Sequence, residues 1–168
     1  MREITDLEDL FYHEIQVLWS AEKLLTEAMP RMIDKAKHPA LKKNLAHHLA
    51  ETDQHKVAME FIVKQFGIDP AGDFNPGMNG IIEEGEKVMS KDATDEALDA
   101  AIIAGAQKVE HYEISGYGSA ACYAEMLGYT AIAAKLRTIL EEEQQADTKL
   151  NFIAKSIINA RAQGITNM

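Results

Sequence analysis

The sequence predicts an all-α protein: a bundle of four long helices, with a long crossover between the second and third that contains a short fifth helix. Three observations carry this. The chain is 46% hydrophobic with only four prolines in 168 residues, and its long stretches of Ala, Glu, Lys and Leu favour helix. No glycine-punctuated alternating segment marks a strand. Two pairs of long helical patterns, each pair joined by a tight turn, are separated by a connection of about 30 residues. At this length the chain is expected to form a single domain over 1–168 with a core that needs neither disulfides nor structural metal, so any metal it holds is functional.

Thr5 and Glu8 have capping-box spacing and open α1, whose apolar residues Leu7, Phe11, Leu18, Leu25 and Met29 share a side. Pro30 falls inside the pattern and is expected to kink α1 or end its regular part. After a turn at 37–39, α2 runs over about 39–66, with Leu41, Leu45, Leu49, Met59, Ile62, Val63 and Phe66 as its buried face, and Gly67 stops it. Residues 67–77, "GIDPAGDFNPG", read as a loop. A short helix α3 follows over roughly 78–90, then α4 over about 95–127. The turn "GYT" at 128–130 leads into α5, about 131–163. A bundle whose two hairpins are joined by a long crossover is ferritin-like; an up-down-up-down bundle would not need the crossover.

Projecting each helix at 100° per residue separates ordinary surface acids from anomalous ones. Glu22 lies between Leu18 and Leu25 on the apolar face of α1. On α2, Glu51 sits at the edge of the apolar arc and His55 further inside it, with His48 close by. On α4, Glu113 shares the arc of Ala106, Val109, Tyr117 and Ala124, with Glu110 one turn away. On α5, Glu143 and Asp147 fall near the middle of the face defined by Leu136, Leu140 and Leu150. Six carboxylates in a core with no cation would each cost several kcal/mol or be forced to protonate. Two divalent cations remove that objection. Oxygen-rich sets with one or two imidazoles suit iron or manganese; calcium prefers loop carbonyls and structural zinc prefers cysteines.

The bulk numbers exclude other classes. A formal charge of −10, with no basic stripe, argues against nucleic acid. The single cysteine, Cys122, cannot pair internally and fits a reducing cytoplasm. The stretch "MREITDLEDL" carries no signal-peptide core, and no apolar run is long enough to span a membrane. The expected location is cytoplasmic. A homo-oligomer, a dimer first, is expected.

The segments "LEDLFYHEI", "SAEKLL", "HLAET", "KVEHYEISGYG" and "LEEEQQAD" resemble the YciF-like branch of the ferritin-like superfamily, a stress-associated bacterial group without a settled enzymatic activity. The resemblance covers nearly the whole chain. It implies a ferritin-like bundle and a dinuclear metal site, with Glu22, Glu51, Glu110, Glu113, Glu143 and Asp147 at the matching positions. Di-iron bundles commonly use Glu-x-x-His, whereas the residues three on from Glu51 and Glu143 are Gln54 and Ala146. The partners here stand at i+4, His55 and Asp147, a spacing that also keeps both on one face. His48 is a rival imidazole, with His55 preferred.

The expected chemistry is a pair of iron or manganese ions reacting with dioxygen or peroxide. Tyr117, one turn from Glu113, is either a hydrogen-bonding or electron-donating neighbour of the ligands or simply core. Cys122 reads as a small buried hydrophobe. With no Cys-x-x-Cys module, electrons would come from a partner protein or from stored ferrous iron. Manganese catalase activity is a further expectation to test. The reading from a different class is a metal-free helical bundle serving as a stress-induced interaction or scaffold protein. Gly105, Gly116 and Gly118 inside α4 each cost about 1 kcal/mol relative to alanine, which points to close helix approach, a local distortion beside the acids, or a dimer contact.

Overall fold

The computed structural model describes residues 3–69 and 74–164, so the middle of the expected 67–77 loop, 70–73, lies outside the described residues. The helices are α1 (Leu7–Lys35), α2 (Pro39–Phe66), α3 (Pro76–Met89), α4 (Asp95–Met126) and α5 (Thr130–Ile153). A wide π-helical turn over Ala154–Ile158 and a last turn over Asn159–Ala162 extend α5. No strand occurs among the described residues.

Each boundary has a local cause. The expected cap of α1 is displaced by one residue: Asp6 is the N-cap and accepts the Asp9 N–H at 2.9 Å. The Asp9 carboxylate in turn accepts from the backbone N–H and hydroxyl of Thr5, at 3.1 and 2.7 Å. Two aspartates thus cap α1 in place of Thr5 and Glu8, with Asp9 reaching back to Thr5, one residue before the N-cap, rather than to the N-cap N–H of a reciprocal box. Pro30 does not end α1, which runs on to Lys35. Gly67 closes α2 with φ of 62°, and Gly128 turns the chain between α4 and α5 with φ of 78°, values that favour glycine.

The helices pack in a square. α1 lies against α2 and α4, and α5 against α4 and α2, while α3 covers the seam between α1 and α4. Asp99, near the start of α4, accepts the backbone N–H groups of Lys37 and His38 in the α1–α2 turn, at 2.7 and 2.8 Å. Thus α4 starts at the end of the bundle where α1 finishes, and the crossover must climb the full length of the bundle to reach it. Asn75 anchors the foot of that climb. Its amide donates to the Val17 carbonyl, its backbone N–H to the Ser20 hydroxyl, and its side-chain oxygen accepts from Met78 N–H and the Tyr112 hydroxyl. Gly77 fits against the Tyr112 ring, where a Cβ would stand 2.7 Å from Cε2. The result is the ferritin-like arrangement, with two parallel hairpins joined by a crossover.

The apolar core has two large clusters at the ends of the bundle and a third, smaller one of Ala21, Leu25, Met78 and Val109 where α3 covers α1 and α4. Phe11, Ile15, Leu18, Met59, Ile62, Tyr117 and Leu136 pack at one end, and Leu41, Leu45, Ile102, Ile103 and Leu150 at the other. The π turn adjusts the far end. A regular helix would continue the stripe through Ile157, but the wider turn brings Ile158 fully into the core, 1% exposed, with Ile157 packed partly buried against it. Between the two apolar ends, near the middle of each long helix, lies a layer of buried acids and imidazoles.

Candidate metal centre

That layer takes Glu22 from α1, His48 and His55 from α2, Glu110 and Glu113 from α4, and Glu143 from α5, all buried. Helical periodicity explains the assembly. His48 and His55 are two turns apart, and Glu110 and Glu113 one turn, so each pair shares a face. The donor atoms form two groups that share Glu143. One holds His48, Glu110, Glu113 and Glu143; the other Glu22, His55 and Glu143. Within each, the atoms lie within 4.8 Å of one another.

The distances are short. His48 Nε2 is 3.1 Å from Glu110 Oε1 and 3.8 Å from Glu143 Oε2. His55 Nδ1 is 2.8 Å from Glu143 Oε1 and 3.8 Å from Glu22 Oε1. Yet these atoms do not satisfy one another. Among the described residues, ten buried side-chain nitrogens and oxygens lack a hydrogen-bond partner, and nine belong to these six residues, including both oxygens of Glu113 and of Glu143. Buried polar groups are nearly always satisfied, so a cluster of unpartnered donor atoms this close together could hold a metal ion. Four carboxylates balance the charge of two divalent ions.

Neighbouring groups orient the two imidazoles. Glu142 Oε2 stands 2.7 Å from His55 Nε2; a carboxylate accepts, so Nε2 is the donor here, and in the neutral ring Nδ1 is the nitrogen left with a lone pair on the side of the centre. His48 turns Nδ1 towards Glu51 Oε2, at 3.7 Å, and Nε2 inward. The Tyr117 hydroxyl donates to Glu22 Oε1.

Protonation equilibria follow from burial and crowding. Burial pushes the Glu22 carboxyl up to about 8 and Glu110 up to about 7, each against the pull of a neighbouring imidazole. Burial, with Glu143, Glu22 and Glu110 close by, holds Glu113 well above the usual carboxylate range. For the imidazoles burial opposes the charge, but Glu110 and Glu51 outweigh it and push His48 up to about 11, while Glu143 and Glu22 push His55 up to about 9. Glu143 is also penalised by burial, yet the two imidazoles keep it below its ordinary value. Burial and Glu22 hold the Tyr117 hydroxyl well above its usual range.

The sequence-derived set divides accordingly. The fold brings Glu22, His55, Glu110, Glu113 and Glu143 together. Glu51 and Asp147 lie outside both groups. Glu51 is 21% exposed and pairs with His47 at 3.2 Å and Lys149 at 3.9 Å. Asp147 accepts from Gln107 at 3.2 Å and Asn151 at 3.3 Å, with His111 at 3.5 Å. The i+4 pairing expected on α2 and α5 is therefore not how these helices present their donors. His48, the rival imidazole, stands inside the layer alongside His55, and their two-turn spacing was the available signal. Glu142, beside His55, went unnoticed because it points away from the apolar face. Cys122 is exposed, not a buried hydrophobe.

The family described as "Domain of unknown function (DUF892)" matches residues 6–163. Protein YciF of Escherichia coli (strain K12) is 37% identical over 158 residues, 94% of this chain and 95% of that protein. The crystal structure of the E. coli stress protein YciF superposes with a TM-score of 0.88 at 36% identity, covering 93% of this chain and 99% of that one. YcfI from Rhodopseudomonas palustris, described as a candidate structural protein, superposes with a TM-score of 0.85 at 40% identity, covering 89% and 96%. No helix among the described residues is long and apolar enough to cross a membrane.

Proposed function

The chain belongs to the DUF892 family, and from that premise we propose that it is a stress-associated protein holding two iron or manganese ions in the bundle core, a centre for reaction with dioxygen or peroxide. One observation carries the reading: six buried residues bring donor atoms into two groups that share Glu143, and each of the six has at least one side-chain atom without a hydrogen-bond partner. Oxygen-rich donors with one imidazole on each side suit iron or manganese. When bound, such a pair supplies electrons to dioxygen or peroxide.

The chain's own residues supply the rest. Glu143 serves both positions. Glu142 fixes the His55 tautomer with the proton on Nε2, and Tyr117 donates to Oε1 of Glu22 and so fixes that carboxylate beside His55. The apolar ends above and below keep bulk water from the layer. A cytoplasmic setting fits the single cysteine, and a separate donor protein would return electrons. Self-association as a dimer is supported by Val57 and Phe61, one turn apart on α2 and 62% and 56% exposed.

Anomalous scattering from crystals soaked with iron or manganese tests the proposal, together with metal analysis of the purified protein. Two peaks are expected, one among Glu22, His55 and Glu143 and the other among His48, Glu110, Glu113 and Glu143. Glu143→Ala should remove both. Metal content well below one ion per chain, indifferent to Glu143→Ala, would sink the proposal in favour of a metal-free interaction protein.

A further inference from the structure

Gly85 and Gly105 each weaken their helix by about 1 kcal/mol relative to alanine, and close packing does not account for either. A Cβ built on Gly85 or Gly105 would meet no atom within 4 Å. Both glycines border a cavity of about 30 Å³ between α1, α3 and α4, whose wall also includes Leu25, Ile82, Ile102 and Val109. A second space of about 130 Å³ between α3 and α4 shares Ile81, Gly85, Ala101 and Gly105 with the first, and reaches the exposed side chains of Glu84 and Lys108. The two glycines thus sit where the outer space meets the inner one.

The inner cavity has room for a small molecule but nothing to hold water. A buried water needs roughly 10–15 Å³ and two to four polar partners. The one charged residue on the wall, Glu86, is 44% exposed and paired with Arg31. Two residues of its wall are neighbours of the acids along their helices. Leu25 lies three residues after Glu22 on α1, and Val109 precedes Glu110 and stands one turn before Glu113 on α4.

We propose that the Gly85–Gly105 cavity is an access and docking site for dioxygen, leading from the α3–α4 surface to the buried acid layer. The proposal rests on the metal-centre reading and narrows it. Hydrogen peroxide carries two O–H groups that this wall leaves unsatisfied, a penalty dioxygen does not meet. The chain therefore favours dioxygen over peroxide as the molecule delivered along this route.

Xenon, apolar and visible by its anomalous signal, is the probe. Crystals of the full chain pressurised with xenon should show a peak bounded by Leu25, Ile82, Ile102 and Val109 in the wild type and none in Gly105→Ala or Gly85→Ala. Both variants should be at least as thermally stable as the wild type, because alanine is the better helix former. In protein loaded with ferrous iron, Gly105→Ala should slow dioxygen consumption by roughly threefold or more, as expected for hindered access, and leave peroxide consumption and iron content unchanged. An ordered water in the wild-type cavity, no xenon there, an undiminished peak in the variants, or equal slowing with peroxide would overturn the proposal. Failure to bind metal would defeat the earlier reading alone, because the xenon result needs no metal.

Discussion

His55 Nδ1 and Glu143 Oε1 stand 2.8 Å apart, and neither has a hydrogen-bond partner. At that separation two aligned groups would share a proton. Left unsatisfied in a dry layer, the two groups strain the metal-free protein electrostatically and form a pair that a cation would relieve.

The strain has a sign that pH can read. In the folded, metal-free protein Glu22 rises from 4.5 to about 8, Glu110 from 4.5 to about 7, His55 from 6.5 to about 9 and His48 from 6.5 to about 11. Every one of these groups keeps a proton that the unfolded chain has already released, so stability must fall as pH rises from about 5 to 9. Each excess proton lowers it by about 1.36 kcal/mol per pH unit. Glu143, held low, works in the opposite sense only below its ordinary value of 4.5. Urea midpoints of metal-free protein should decline between pH 5.5 and 8.5. Saturating manganese should flatten the decline, since metal displaces those protons. A midpoint that climbs with pH in metal-free protein would contradict this account.

Glu142 and Asp147 provide a matched pair of surface-side acids with opposite expectations. Glu142 contacts His55 Nε2 at 2.7 Å, whereas Asp147 engages Gln107 and Asn151 away from both donor groups. Glu142→Gln should keep the stoichiometry at saturation while weakening metal affinity roughly 10- to 100-fold, the usual effect of losing a partner that orients a ligand. Asp147→Ala should leave affinity within about twofold, because it removes no donor from either group. Competition titrations with a chelating dye give both numbers.

Much of this was legible in the chain because helices project side chains at a fixed angle. The four long helices, the crossover and the inward acids Glu22, Glu110, Glu113 and Glu143 all follow from periodicity on long amphipathic segments. What periodicity cannot supply is helix rotation to within one residue. Glu51 sat at the margin of its arc, but Asp147 projected near the middle of the face on α5, and in the fold it engages Gln107 and Asn151 instead while His48 on α2 stands inside the layer. The π turn at Ala154–Ile158 escaped for the same reason, since one inserted residue leaves composition unchanged. Cys122 was misplaced because a small residue between Ala121 and Tyr123 reads as core on type alone.

Tyr117 is fully buried, and its hydroxyl donates to Glu22. Tyr117→Phe leaves that Glu22 oxygen without its donor in a dry layer, so the metal-free protein should lose about 1–3 kcal/mol. Metal stoichiometry should stay at the wild-type value, because the phenol is outside both donor groups. Denaturation and metal analysis on one preparation check both halves. Loss of metal from Tyr117→Phe would make the tyrosine part of the binding set.

Gly116 and Gly118 lie two residues apart on α4 and should respond to alanine in opposite directions. A Cβ on Gly116 would sit 2.8 Å from Leu18 Cδ2, a side chain with no exposure that packs where α1 crosses α4. A Cβ on Gly118 meets nothing within 4 Å. Gly118→Ala should therefore stabilise the protein by about 1 kcal/mol through helix propensity alone. Gly116→Ala gains the same propensity but must displace Leu18, and overpacking a full core costs about 1–3 kcal/mol, so its net effect should be a loss of up to about 2 kcal/mol. Thermal melts of the two variants in the metal-free state separate the effects. Equal stabilisation by both would mean that α1 and α4 do not approach closely at Gly116, and with that the placement of Glu22 beside Glu113 would lose its support.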